Sequence, residues 1–166
     1  MFTGLSAFPL TPLRGDRLDL AAFRRIVAML AGSGVDTITA LGSTGSYAYL
    51  DRDERHAVIA AAVDAAGDTP VIAGIGALRT SHAIAFARDA ADAGARAVLL
   101  APLTYQALTA DDVYGFFADV LESLTVPLVI YDNPGTTHFT FDDELYGRLA
   151  ALPGVASIKS RASLLA

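Results

Sequence analysis

The chain has 166 residues, 53% of them hydrophobic and 18% charged, with a net charge of −6 and no cysteine. That length fits one domain with a real core, and the acidic balance speaks against nucleic acid or an anionic membrane surface, both of which call for a basic patch. Disulfides, thiolate metal sites and cysteine nucleophiles are excluded.

At the N-terminus, Met1-Phe2-Thr3-Gly4-Leu5 lacks a basic region and Pro9 and Pro12 interrupt the apolar stretch, which is not the pattern of a signal peptide. No apolar run is as long as a membrane span. These features predict a cytoplasmic protein.

Leu5–Leu10 reads as the first strand. A helix follows, with Leu20, Phe23, Val27 and Leu30 on one face, Asp19 as its N-cap and Gly32 or Gly34 as its terminator. Val35–Ala40 is the second strand. Asp51 with Glu54 forms a capping-box pattern that opens a helix to about Ala66. Val71–Ile75 is the third strand, and Thr80 or Ser81 caps a helix ending near Gly94. Ala97–Ala101 is the fourth, and Thr109 caps a helix to about Ser123. Leu128–Tyr131 is the fifth, followed by a short helix from about Phe141 to Ala150 and a sixth strand, Val155–Lys159.

None of the apolar runs alternates cleanly with polar residues, so all read as strands buried on both faces of a parallel sheet. After the first they recur roughly every 25–35 residues, as βα units do. The polar groups sit after the strand ends: Thr11, Gly42-Ser43-Thr44-Gly45, Thr104-Tyr105, Tyr131-Asp132-Asn133 and Lys159. An open doubly wound sheet gathers ligand groups near one switch point. A (β/α)8 TIM barrel collects them from around the ring. The distribution favours the barrel, with six of its eight strands countable in residues 1–159. The pattern thus resembles a barrel truncated after strand 6.

Gly42-Ser43-Thr44-Gly45 is a small polar turn that could hold a carboxylate or phosphate with its amides and hydroxyls, or could simply lead into the next helix. Gly74-Ile75-Gly76 is not a dinucleotide fingerprint, since Arg79 stands where the third glycine belongs and no acid ends the next strand. His56, His82 and His138 share no metal-binding spacing, and the first two fall on helices away from the mouth. No metal site is expected.

Eleven of the twelve basic residues are arginine, and the single lysine, Lys159, ends the sixth strand. Arginine stays charged at any working pH, whereas a desolvated lysine can become a neutral amine and attack a carbonyl. Barrel geometry would set Tyr131, at the end of the fifth strand, beside it.

Taken together, Phe8-Pro9-Leu10-Thr11-Pro12, Gly42-Ser43-Thr44-Gly45, Val71-Ile72-Ala73-Gly74-Ile75-Gly76, Tyr131-Asp132-Asn133-Pro134-Gly135 and Ile158-Lys159 resemble, in order, the dihydrodipicolinate synthase / N-acetylneuraminate lyase family. These are (β/α)8 barrels that form a Schiff base between a lysine and a 2-oxo acid, usually pyruvate. The resemblance implies that Lys159 forms the imine, Tyr131 moves protons, and Thr44 with Ser43 and Gly45 holds the keto-acid carboxylate, Thr44 also relaying protons from Tyr131. Tyr105 would be the tyrosine that reaches a neighbouring subunit's site in a homo-oligomer, a dimer or tetramer. No cofactor is implied beyond the covalent lysine imine; the partners are pyruvate and an aldehyde.

Departures are visible. Ser46 replaces the acid usual in the synthases, and Thr136 and Thr137 stand where those enzymes place an arginine. Residues 160–166 depart from the family's continuation and read as an atypical, non-native or frameshifted tail. The function predicted is that of a class I aldolase, lyase or synthase. The alternatives are a non-catalytic barrel fragment that depends on assembly and, third, a doubly wound small-ligand-binding domain.

Overall fold

The computed structural model describes residues 3–160. The expectation for the 160–166 tail lies, Ser160 apart, outside the described residues.

Strand β1 (Ser6–Ala7) is followed by a two-stranded antiparallel hairpin, β2 (Leu13–Arg14) and β3 (Arg17–Leu18). Then come α1 (Leu20–Gly32), β4 (Thr37–Ala40), α2 (Arg52–Ala66), β5 (Val71–Gly74), α3 (Thr80–Asp92), β6 (Ala97–Leu100) and α4 (Ala110–Glu122). β7 (Leu128–Tyr131), the one-turn α5 (Pro134–Thr137), α6 (Asp143–Ala150) and β8 (Val155–Lys159) are the last of the described elements. Six strands form one parallel sheet in the order β1-β4-β5-β6-β7-β8. That order follows the sequence without reversal, so the sheet has no switch point and the doubly wound alternative fails. The strands are six consecutive staves of a (β/α)8 barrel.

The helices begin where local chemistry dictates. Asp19 accepts from the Ala22 amide at 2.9 Å. Asp51 and Glu54 satisfy each other's backbone amides reciprocally, as do Thr109 and Asp112. α3 differs from expectation. Arg79 occupies the cap position with no side-chain cap bond, and Thr80 is already helical. The first strand is also shorter than predicted, because Pro9 has no amide to extend the ladder. The hairpin, absent from the sequence reading, turns on the two residues Gly15-Asp16, with Gly15 at φ +63°.

Ile38, Val98, Leu100, Leu128 and Ile130 pack outward against a helix layer led by Phe23, Val27, Val58 and Phe117, all fully buried. Inward, Ile72, Leu99, Val129 and Tyr131 form a second cluster with Phe8. β4 to β7 are therefore buried on both faces, as expected. β8 corrects the expectation. Val155, Ser157 and Lys159 are half-buried while Ala156 and Ile158 are exposed, Ile158 at 38%. Among the described residues β8 pairs with β7 alone, so it is an edge strand with a partly uncovered outer face. No described helix is long and apolar enough to cross a membrane.

Candidate active site

The site forms where β4, β7 and β8 end. β7 and β8 are in register there, with Tyr131 opposite Lys159. In parallel strands, paired residues send their side chains to the same face. The Lys159 Nζ stands 4.4 Å from the centre of the Tyr131 ring and 5.0 Å from that of Phe8 on the loop after β1. Tyr131 is 6% exposed. Its hydroxyl oxygen accepts from Asn133 Nδ2 at 2.9 Å and lies 3.2 Å from the Ser43 hydroxyl. Because Asn133 fills an acceptor position, the phenol proton is free to point at Ser43 or at a bound molecule.

Ser43 arrives from a 3₁₀ turn, Ser43–Gly45, directly after β4. Two features aim it. Leu41 is buried in a left-handed conformation, φ +59°, which reverses the chain at the strand end. Gly74 on the neighbouring strand makes room, since a Cβ there would lie 1.8 Å from the Leu41 carbonyl oxygen. The Gly-Ile-Gly segment thus serves close backbone approach to another strand.

Asn133 and Thr136 come from the loop and α5 after β7. Thr136 Oγ1 lies 3.5 Å from Ser43 Oγ and donates to the Asn133 carbonyl at 3.2 Å. Thr137 donates to the same carbonyl at 3.1 Å. The chain Ser43, Tyr131, Asn133, Thr136 is thus a connected set of hydroxyls and one amide beside the lysine. An open cavity runs along the sheet's inner face, lined by Ser6, Phe8, Thr39, Leu99, Val129 and Lys159.

Of the residues predicted from sequence, Lys159, Tyr131 and Ser43 converge. Gly45 is buried, and a Cβ there would meet the Thr11 hydroxyl at 3.3 Å. Thr44 is exposed, and the hydroxyl that reaches Tyr131 belongs to Ser43. Tyr105 stands 92% exposed on the loop after β6, apart from the group. His82 departs from expectation. It opens α3 on the mouth side, lining a cleft with Tyr47, Arg55, Gly76 and Phe86.

Sequence reasoning passed over Arg55 and Tyr47. Arg55 is 3% exposed, donates to the Gly76 carbonyl at 2.9 Å, and lies 4.0 Å from the Phe86 ring centre and 5.1 Å from that of Tyr47. Burial pushes its guanidinium down to about 10, so it remains charged at neutral pH. Burial likewise pushes the Tyr47 phenol up to about 12. A signal was present: Arg55 shares a helical face with Val58, Ile59 and Ala62. A cation on an apolar stripe must find partners inside.

The family model for the dihydrodipicolinate synthetase family matches residues 1–165. The chain belongs to that family. The 4-hydroxy-tetrahydrodipicolinate synthase of Methylococcus capsulatus is 40% identical over 151 residues, covering 90% of this chain and 52% of the relative. The crystal structure of dihydrodipicolinate synthase from Agrobacterium tumefaciens superposes with a TM-score of 0.93 at 50% identity, covering 96% of this chain and 54% of that one. The Acinetobacter baumannii dihydrodipicolinate synthase, solved in complex with pyruvate, matches with a TM-score of 0.89 at 31% identity, over 95% of this chain and 55% of that one. The chain spans about half the length of these synthase-family relatives.

Proposed function

We propose that this chain carries the Schiff-base half-site of a class I aldolase, lyase or synthase acting on a 2-oxo acid, pyruvate being the first candidate. One observation carries the reading: the Lys159 Nζ lies 4.4 Å from the ring centre of a tyrosine whose hydroxyl is hydrogen-bonded to the turn after β4. A lysine amine beside a proton-carrying phenol is what imine chemistry requires. The pyruvate bound to the Acinetobacter relative supports the choice of substrate.

In the proposed sequence, the neutral Lys159 amine attacks the 2-oxo carbon. Tyr131 supplies a proton to the carbonyl oxygen, which leaves as water when the imine forms. Loss of a C3 proton then gives an enamine, which adds to an aldehyde; run backwards, the imine accepts the electron pair of a breaking C–C bond. No separate cofactor enters these steps. The substrate carboxylate would rest on the amides of Ser43 and Thr44, which open the 3₁₀ turn and have no partner within it. Gly45 would keep that approach open, Thr44 would assist from the rim, and proton relay would fall to Ser43. Tyr105 would serve a second subunit in a homo-oligomer. The exposed outer face of β8 favours a second reading, in which the chain becomes competent only on assembly with further strands.

The test is borohydride reduction with pyruvate, read by intact mass and peptide mapping. The expected product is a reduced adduct on Lys159, lost in Lys159→Arg. A folded sample that yields no adduct, or yields it only at the α-amino group, overturns the Schiff-base reading. An adduct that appears only in a larger assembly selects the second reading.

A further inference from the structure

Among the described residues, Lys159 is held from one side only. β8 pairs with β7, and the last bond of that pairing runs from the Asp132 amide to the Lys159 carbonyl at 2.9 Å. Asp132 sits between Tyr131 and Asn133, whose side chains both belong to the site. Its own carboxylate is engaged elsewhere: the Tyr146 hydroxyl, on α6, donates to Asp132 Oδ2 at 2.5 Å. The Tyr146 ring is in turn stacked on Phe141, centres 5.3 Å apart and 16° from parallel. Phe141 packs edge-on against Phe139 and Phe117, so Tyr146 is anchored in an aromatic cluster.

The other carboxylate oxygen, Asp132 Oδ1, is buried with no hydrogen-bond partner among the described residues. A buried carboxylate satisfied on one oxygen is costly to keep. Its orientation then depends on the one donor it has. Remove that donor and the carboxylate gains by rotating toward water, which turns the Asp132 backbone and draws its amide away from Lys159. Burial pushes the Tyr146 phenol well up, and its bond to Asp132 pushes it further, so it remains a donor across the neutral range.

We infer that Tyr146 and Asp132 form a positioning pair that fixes the approach of the Lys159 amine to Tyr131, linking the chemistry to α6. The inference rests on the Schiff-base reading above for its consequence, though not for its geometry.

Two variants and two readouts test it. Tyr146→Phe keeps the stacked ring and deletes the donor. Its rate of reduced pyruvate adduct formation at saturating pyruvate should fall at least ~10-fold, with half-saturation shifting less than ~2-fold, the signature of misplacement rather than lost binding. Asp132→Asn retains an oxygen that accepts the Tyr146 hydroxyl and should stay within ~3-fold of the unmodified protein. Amide hydrogen exchange at Asp132 should quicken at least ~10-fold in Tyr146→Phe while β5 amides hold their rates. Unchanged trapping with unchanged exchange overturns the inference, as does a uniform rise in exchange across the sheet, which would mark general destabilisation. Should the unmodified protein form no adduct, the Schiff-base reading fails by itself, and the Asp132 exchange rate alone decides whether the pair holds β8.

Discussion

Leu41 is fully buried and lies in the left-handed region at φ +59°. For a side-chain-bearing residue that conformation costs about 1–2 kcal/mol. It reverses the chain so that Ser43 meets the Tyr131 hydroxyl, and Gly74 makes it possible by leaving space for the Leu41 carbonyl. Gly74→Ala is therefore expected to lose at least about 2 kcal/mol in urea unfolding, since the added methyl meets backbone that cannot move aside cheaply. Tyr47 allows a pH prediction. Its folded value, about 12, lies above the unfolded value near 10. The folded state thus favours the neutral phenol, and this stabilisation is full below about pH 10 and drains away as pH rises toward 12. The shift corresponds to about 2–3 kcal/mol. The free energy of unfolding measured from pH 9 to 12 should fall less steeply in Tyr47→Phe than in the unmodified chain. Lys159 and Tyr131 were legible in the sequence because each ends a strand and strand ends share a face. Arg55 left a trace on the apolar face of α2, though not of its partners, while the Gly74–Leu41 contact left none, because composition carries no sign of close approach between strands.

At the scale of elements, the capped helices were the most legible part of the chain. Asp51-x-x-Glu54 and Thr109-x-x-Asp112 are local patterns whose hydrogen bonds join residues three apart, and α2 and α4 start where those patterns say. Asp51→Ala should cost about 1 kcal/mol in urea unfolding, with the loss reported equally by circular dichroism and tyrosine fluorescence, since α2 packs into the main core. The β2–β3 hairpin and the single-turn α5 were missed for opposite reasons. The hairpin strands are too short to show periodicity, although Gly15-Asp16 is a turn signal. In α5, Asn-Pro-Gly reads as a plain turn, and the helix is held by Thr136 and Thr137 returning to the Asn133 carbonyl. That same short turn brings Thr136 to Ser43.

At the scale of the whole fold, the sheet formed by the described residues is protected in its middle and open at its rims. β4 to β7 are buried on both faces, whereas β1 contributes two residues to the ladder and β8 alternates between half-buried and exposed. Hydrogen exchange should follow this gradient: β5 and β6 amides are expected to exchange slowest and β8 amides at least ~10-fold faster, measured at neutral pH by mass spectrometry of overlapping peptides. Equal protection in β8 and β6 would mean that something pairs with β8 in solution. The barrel class was legible because the polar groups follow successive strands; the half-open state of β8 was not, because the run Val155–Ile158 has the composition of an interior strand wherever it is placed.

The chain's only lysine thus sits at the seam of the fold. Tyr131 on β7 and Phe8 on the loop after β1 flank the amine, and any polypeptide that zips onto β8 changes its surroundings at once. On the proposed Schiff-base reading, adduct formation at Lys159 would therefore double as a gauge of that edge strand.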